Sequence, residues 1–290
     1  MDTVRAAALM TLAMAGFAAG DALIKEASAT LTNWQILLLL GGGGSAIFAC
    51  LAILRGVPLI NAVFWNRAIL VRNGFEMLAA LSMITALSRV PLTTLTVILQ
   101  ATPLLVTAGA VLVFGMQVGW RRWSAISFGF VGVLLILRPG LEGFDPNALF
   151  ALAAAIALAA RDLATRAVPG SVHSLLLAFY GFAVIAPLGM IGIAVDPGGT
   201  AWQTTGVTLM ILAVILTACA YYAITAAMRI GDIAAVAPFR YARLLFGLLI
   251  GIIAFNERPD LLTYAGAALI LGSGLYTLAR DRRTRHTPQN

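Results

Sequence analysis

The sequence predicts an all-α polytopic membrane protein, with ten transmembrane helices in two inverted five-helix repeats around a central cavity. Three observations predict it: an apolar composition, about ten apolar segments of spanning length, and a self-similarity between the two halves. With 61% hydrophobic and 11% charged residues and a mean hydropathy of +0.95, the chain lacks the roughly 25% charge of soluble domains. The apolar segments fall at about 4–24, 34–54, 68–87, 91–115, 122–138, 147–167, 172–195, 205–228, 233–255 and 261–279. Each is near the roughly 20 residues that a helical span needs.

The first segment has the features of a signal peptide, since Arg5 precedes an apolar core and Ala27-Ser28-Ala29 imitates a cleavage site. An internal twin argues against that reading. Asp21 and Lys25, four residues apart, reappear as Asp162 and Arg166 in the sixth segment, where no signal peptide can be. The twin belongs to a longer repeat: displaced by 140, Ser88-Arg89-Val90 through Gln100 falls on Met228-Arg229-Ile230 through Arg240. The repeats are read as 1–140 and 141–281, followed by a polar cytoplasmic tail at 282–290. An odd number of spans per half inverts the second half relative to the first, and inverted repeats are a transporter signature with the substrate near the midplane.

Segment two contains Gly41 to Gly44, a close-packing or hinge stretch and not a phosphate cradle, because no strand precedes it and no Lys-Ser/Thr follows. Segment three carries Arg72, Asn73 and Glu76; the spacing lets Arg72 pair with Glu76 along one face, as Asp21 can with Lys25 and Asp162 with Arg166. Segment four contributes Gln100 and Pro103, segment seven Tyr180, and segment eight Tyr221 and Tyr222, which lie further in than an aromatic belt requires. Over Trp123 to Leu137 and Leu261 to Leu278, segments five and ten are free of charge and contain small residues such as Gly129, Gly132, Gly266, Gly272 and Gly274, so both read as close-packed peripheral braces.

Segment nine carries the most unusual stretch, Pro238-Phe239-Arg240-Tyr241-Ala242-Arg243. A charge at the bilayer centre costs at least about 2.5–3.5 kcal/mol on insertion scales, so such arginines face protein or water. Pro238 has no N–H and leaves the carbonyl of Ala234 without its helical partner, which suits a cavity wall. The alternative is that both arginines pair with carboxylates and only hold helices together. Within the spans Lys25, Arg72, Arg161, Arg240 and Arg243 stand against Asp21, Glu76 and Asp162, a surplus of two positive charges. That surplus suits a substrate bearing a carboxylate or another anionic group. Should transport be coupled to protons, Asp21, Glu76 and Asp162 are the candidate protonation sites.

With a cytoplasmic N-terminus, eleven basic residues fall on the inner side, including Arg280, Arg282, Arg283 and Arg285, and four on the outer side. This places both termini in the cytoplasm. The net charge of +7 is scattered over short loops and the C-terminal cluster, a membrane-surface pattern and not a nucleic-acid footprint. Cys50 and Cys219, with no CxxC spacing, read as small packing residues, with neither disulfide nor metal. Catalysis is not expected: the histidines are His173, at a segment edge, and His286, in the tail, while Ser45 lies mid-membrane. No HExxH motif, P-loop or cofactor motif is present.

The run from Ala86 through Ser88-Arg89-Val90-Pro91 and Gln100 to Pro103, the stretch Ala237 to Gly247, and Phe255-Asn256-Glu257-Arg258-Pro259 before the last helix resemble the drug/metabolite transporter superfamily. Within it the chain is similar to the EamA family, over nearly its whole length. The resemblance implies two five-helix repeats and a central cavity lined by helices one to four and six to nine, with five and ten outside. Members include YddG-type aromatic amino-acid exporters and carriers of nucleotide-related metabolites, riboflavin and sugar phosphates. The implied activity is secondary transport of small metabolites across a bacterial-type inner membrane without nucleotide hydrolysis, with amino-acid export first. Uptake or exchange of a nucleotide-derived metabolite such as S-adenosylmethionine is the alternative, and a passive channel is the third. Aromatic residues are sparse in segments three and four, with Phe75 in mid-segment three, which argues against strict selectivity for aromatic amino acids.

Overall fold

The structure, a computed structural model, describes residues 2–116, 119–140, 144–196, 201–230 and 236–285. Among these the helices are α1 (Asp2–Ala27), α2 (Asn33–Leu54), α3 (Arg67–Arg89), α4 (Leu92–Leu99), α5 (Thr102–Phe114), α6 (Trp120–Leu137), α7 (Ala148–Arg166), α8 (Ser174–Val195), α9 (Thr204–Ile230), α10 (Ala242–Phe255) and α11 (Leu261–Arg285). Two 3₁₀ turns, Ala62–Trp65 and Ala237–Tyr241, precede α3 and α10. Among the described residues nine stretches are long and apolar enough to cross a bilayer, with α4 and α5 forming one of them; the apolar part of α11, Leu261–Thr277, is shorter. The chain is an all-helical polytopic membrane protein. Its last helix continues past the expected end at 279 to Arg285, and His286 lies outside the described residues.

Local chemistry sets the helix starts. Thr32 and Gln35 form a reciprocal capping box on α2, with Gln35 N donating to Thr32 Oγ1 at 3.3 Å and Thr32 N to Gln35 Oε1 at 2.9 Å. Asn66 caps α3 by accepting from Ala68 N at 2.9 Å. His173 Nδ1 accepts from Leu175 N at 3.2 Å and so caps α8.

By proximity the chain forms two compact units. One comprises 1–19, 91–149 and 219–290, and the other 20–90 and 150–218. Each unit therefore takes helices from both sequence halves, and α1, α7 and α9 contribute to both.

In the unit of residues 20–90 and 150–218, α2 packs along α8 through the glycines that the sequence assigned to packing. A Cβ on Gly41 would stand 2.4 Å from Ala186 N, and one on Gly44 would stand 2.3 Å from the Phe182 ring. From the other side, a Cβ on Gly189 would stand 2.5 Å from Leu38 N. Only the absence of a side chain lets two backbones approach this closely, which is how small residues bring membrane helices together. Cys50, expected as a packing residue, is exposed, as is Cys219. Nine positions after Gly41 on α2, it falls on the opposite side of the helix from the glycine contact.

In the other unit α6 packs along α11, where Gly132 and Gly266 face each other across backbone oxygens; a Cβ on either would meet the other's carbonyl at 2.8 or 2.6 Å. The pairing of these two braces follows from the same small-residue logic. The first half of α1 presents Ala6, Met10 and Ala13, at helical spacing, to Ala220, Ala227 and Val236.

Arg138 ends α6 in the left-handed region (φ 50°), and its guanidinium pairs with Asp260 at the start of α11. Asp260 also accepts from Thr263 N at 3.0 Å and Thr263 Oγ1 at 2.8 Å. Desolvation alone would raise the Asp260 pKa, but the Thr263 bonds and the Arg138 bond and charge together hold it below its ordinary 3.8. A depressed folded-state pKa contributes stability that is full above the unfolded value and is lost as pH falls through the folded one. Asp260→Asn is therefore expected to lower the thermal midpoint at neutral pH, with the gap to wild type closing below about pH 4. Unfolding scans of both proteins from pH 7 downward check this.

Candidate substrate site

The unit of residues 20–90 and 150–218 holds a connected set of charges. Arg72 Nη2 lies 3.2 Å from Glu76 Oε2, the in-helix pair expected from spacing. Arg161, from α7, adds its Nη1 to Glu76 Oε1 at 3.1 Å. Its Nη2 and Nε hold Asp162 Oδ1 at 2.7 and 3.0 Å. The reading that Asp162 pairs with Arg166 is thereby corrected: its partner is the adjacent Arg161, whose guanidinium folds back over it, while Arg166 sits at the exposed end of α7. Arg72 also donates to Asn73 Oδ1 at 3.0 Å. Gly181 on α8 lets the helix lie against this cluster, because a Cβ there would come within 3.1 Å of Arg72 Nη1 and 3.3 Å of Glu76 Oε2. Phe75, beside the cluster on α3, is half-buried.

Lys25 turns to the end of α3, where its ammonium donates to Val90 O at 2.6 Å and Leu87 O at 3.3 Å. A cation on the last carbonyls of a helix satisfies orphan acceptors and complements the helix dipole. Asp21 is buried on the same helix. Of the charges counted within the spans, this unit thus contains Lys25, Arg72 and Arg161 with Asp21, Glu76 and Asp162, three of each sign. The surplus of two positive charges falls entirely in the other unit, as Arg240 and Arg243.

That other unit holds both helix breaks. Pro103, exposed near the start of α5, has no N–H for the carbonyl of Leu99; the Thr102 hydroxyl takes that carbonyl instead, at 2.6 Å. A side chain so replaces the lost backbone donor, as a break in a membrane requires. Gln100, at the end of α4, is 8% exposed, and its Nε2 has no hydrogen-bond partner among the described residues. In the second half the break is the 3₁₀ turn that begins at Ala237, just before the half-buried Pro238. Ala234, whose carbonyl Pro238 was expected to leave open, lies outside the described residues.

The residues after Pro238 diverge in direction. Tyr241 is 5% exposed and packs its ring and hydroxyl on Gly274 of α11. Arg243 is half-buried, with its guanidinium over the Phe17 ring at 5.4 Å, a cation–π contact. Arg240 is exposed, and among the described residues it has no ion pair. Of the α9 tyrosines, Tyr221 is half-buried and Tyr222 is exposed.

Two contacts escape the sequence reading. Arg161 enters it only as a charge to be counted, because nothing in its spacing identifies Glu76, 85 residues away, as its partner. Glu257 accepts from Leu92 N at 2.6 Å and Thr93 N at 2.8 Å, so a carboxylate from the loop after α10 caps the start of α4. Pro91 supplies no side-chain cap there. The available signal was the Asn256-Glu257-Arg258-Pro259 stretch of the resemblance, which marks the residue without its partner.

Comparison with known proteins adds to this geometry. The model of the EamA-like transporter family matches twice, over residues 4–138 and 146–279. A riboflavin transporter of Rhizobium johnstonii is 30% identical over 77% of this chain and 72% of its own length. An S-adenosylmethionine uptake transporter of Rickettsia bellii is 28% identical over 68% of this chain and 67% of its own. The pseudopaline exporter CntI of Pseudomonas aeruginosa is 26% identical over 93% and 95%. With both family matches together spanning nearly all of its residues, the chain belongs to the EamA-like transporter family and is a multi-pass membrane transporter, not an enzyme.

Proposed function

We propose that this transporter is an alternating-access carrier of a small carboxylate-bearing metabolite, an amino acid or an amino-acid derivative, in a bacterial-type inner membrane. Arg240 carries the reading: an exposed arginine within a spanning stretch, beside a helix break and without an ion pair among the described residues. A guanidinium at that depth costs several kcal/mol unless water or an anionic group satisfies it. Arg243, stacked on Phe17, is assigned to holding the unit together. Gln100, Tyr221, Tyr222, Pro103 and Pro238 remain candidate wall residues. Arg72, Glu76, Asp162 and Asp21, in the other unit, remain candidate cavity residues, with the three acids also candidates for protonation. Tyr241, packed on Gly274, is assigned to positioning Arg240.

S-adenosylmethionine, by its name an amino acid joined to adenosine, is the first solute to test, since a relative is named for its uptake. Export of amino acids and their derivatives is the preferred direction, in keeping with a relative named as an exporter. A second reading, riboflavin transport, is favoured by a relative named for it. Riboflavin has no carboxylate, so the two readings part at Arg240. Lysine cannot reproduce the bidentate grip of a guanidinium on a carboxylate. In proteoliposomes, Arg240→Lys is expected to weaken competition by free carboxylates about tenfold or more, and competition by their amides much less. Equal loss for acid and amide would reduce Arg240 to a structural role. Flux that fails to saturate would make the protein a pore.

Both termini are proposed to be cytoplasmic. A cysteine at Gly119 or Pro288 is expected to be protected from impermeant thiol reagents outside intact cells, and one at Gly143 to react. Gly143 and Pro288 lie outside the described residues. Labelling at Pro288 from outside would sink the proposed topology.

A further inference from the structure

A groove of about 680 Å³ runs beside the first turns of α1, lined by Val4, Ala7, Ala8, Thr11, Leu12 and Phe239. The five α1 residues share one helix face by their spacing, while Ala6, Met10 and Ala13 on the other side are packed into the core. Val4 is 75% and Leu12 66% exposed, within a spanning stretch that begins at Val4. The one hydroxyl in the lining, that of Thr11, already donates to Ala7 O at 2.9 Å. A polar solute would leave its donors and acceptors without protein partners here, an unfavourable burial. A hydrocarbon chain would lose nothing.

The groove extends about 12 Å along α1 from Val4 to Leu12 at the helical rise, a length that the upper methylenes of an acyl chain fill. Arg5 is exposed on the adjoining flank, at the end of the span where phosphates of the bilayer surface lie. A guanidinium there suits a phosphate, in geometry as well as in charge. We propose that the groove seats one acyl chain of an anionic phospholipid, with its phosphate on Arg5. The proposal holds whichever solute the protein carries.

The test uses the full-length chain, purified in detergent and supplemented with phosphatidylglycerol or with phosphatidylcholine of the same acyl chains, and reads the midpoint of thermal unfolding. Phosphatidylglycerol is expected to raise the wild-type midpoint by several degrees more than phosphatidylcholine does, as a ligand well above its Kd should. That difference should disappear in Arg5→Gln, which removes the phosphate partner, and in Ala8→Phe, which fills the groove. Both positions are exposed, and both variants should match wild type in phosphatidylcholine alone. Equal effects of the two lipids on wild type, or a headgroup difference that survives in either variant, would overturn the proposal. Survival in Ala8→Phe together with loss of solute transport would assign the groove to the solute.

Discussion

Arg161→Met is expected to destabilise the protein by about 2–4 kcal/mol, placed below the usual cost of breaking a buried ion pair because the site is partly exposed. Its guanidinium, 26% exposed, is shared between Glu76 and Asp162. Among the described residues, removing it leaves Asp162 with no remaining partner and brings two carboxylates into mutual repulsion, with only Arg72 to hold Glu76. The double variant Arg161→Met, Asp162→Asn is expected to regain most of the loss, because an amide carries no charge to strand. Asp162→Asn alone should cost less than Arg161→Met, since Arg161 keeps Glu76. Thermal unfolding of the three variants decides it: if the double variant is no more stable than Arg161→Met, the cluster does not hold α3 against α7.

Gly41→Ala is expected to cost about 1–3 kcal/mol, the usual range for overpacking a close contact. The added methyl would stand 2.4 Å from Ala186 N and 2.9 Å from Ala186 Cα. These are backbone atoms of α8, which cannot rotate out of the way, so the two helices must part. Gly42→Ala is the control, because a Cβ there meets nothing within 4 Å. It should be neutral, or stabilising by up to about 1 kcal/mol through helix propensity. Comparable losses at both positions would show that the glycines matter for backbone flexibility and not for helix contact.

The sequence by itself determined the class, the spans and the family. Hydropathy acts over about 20 consecutive residues, and a membrane leaves helices as the one way for such segments to satisfy their backbone. The breaks at Pro103 and Pro238 and the packing role of Gly41 and Gly44 were legible for the same reason: proline and glycine act on the backbone where they stand. The in-helix pair of Arg72 with Glu76 was legible because four residues make one turn.

Only the tertiary structure decided which charges meet across helices. Arg161 with Glu76, and Glu257 on the first amides of α4, each depend on how helices stand beside one another. Spacing misassigned Asp162 to Arg166, because an adjacent residue with a long side chain can fold back where a rule based on one helical face expects no contact. It also took packing, and not periodicity, to separate Arg240 from its neighbours. A face rule groups Arg240 with Arg243, but in the structure Phe17 covers one of them and the other stays exposed. A charge's surroundings are set by residues distant in sequence, and these carry no mark of their partner in a single chain.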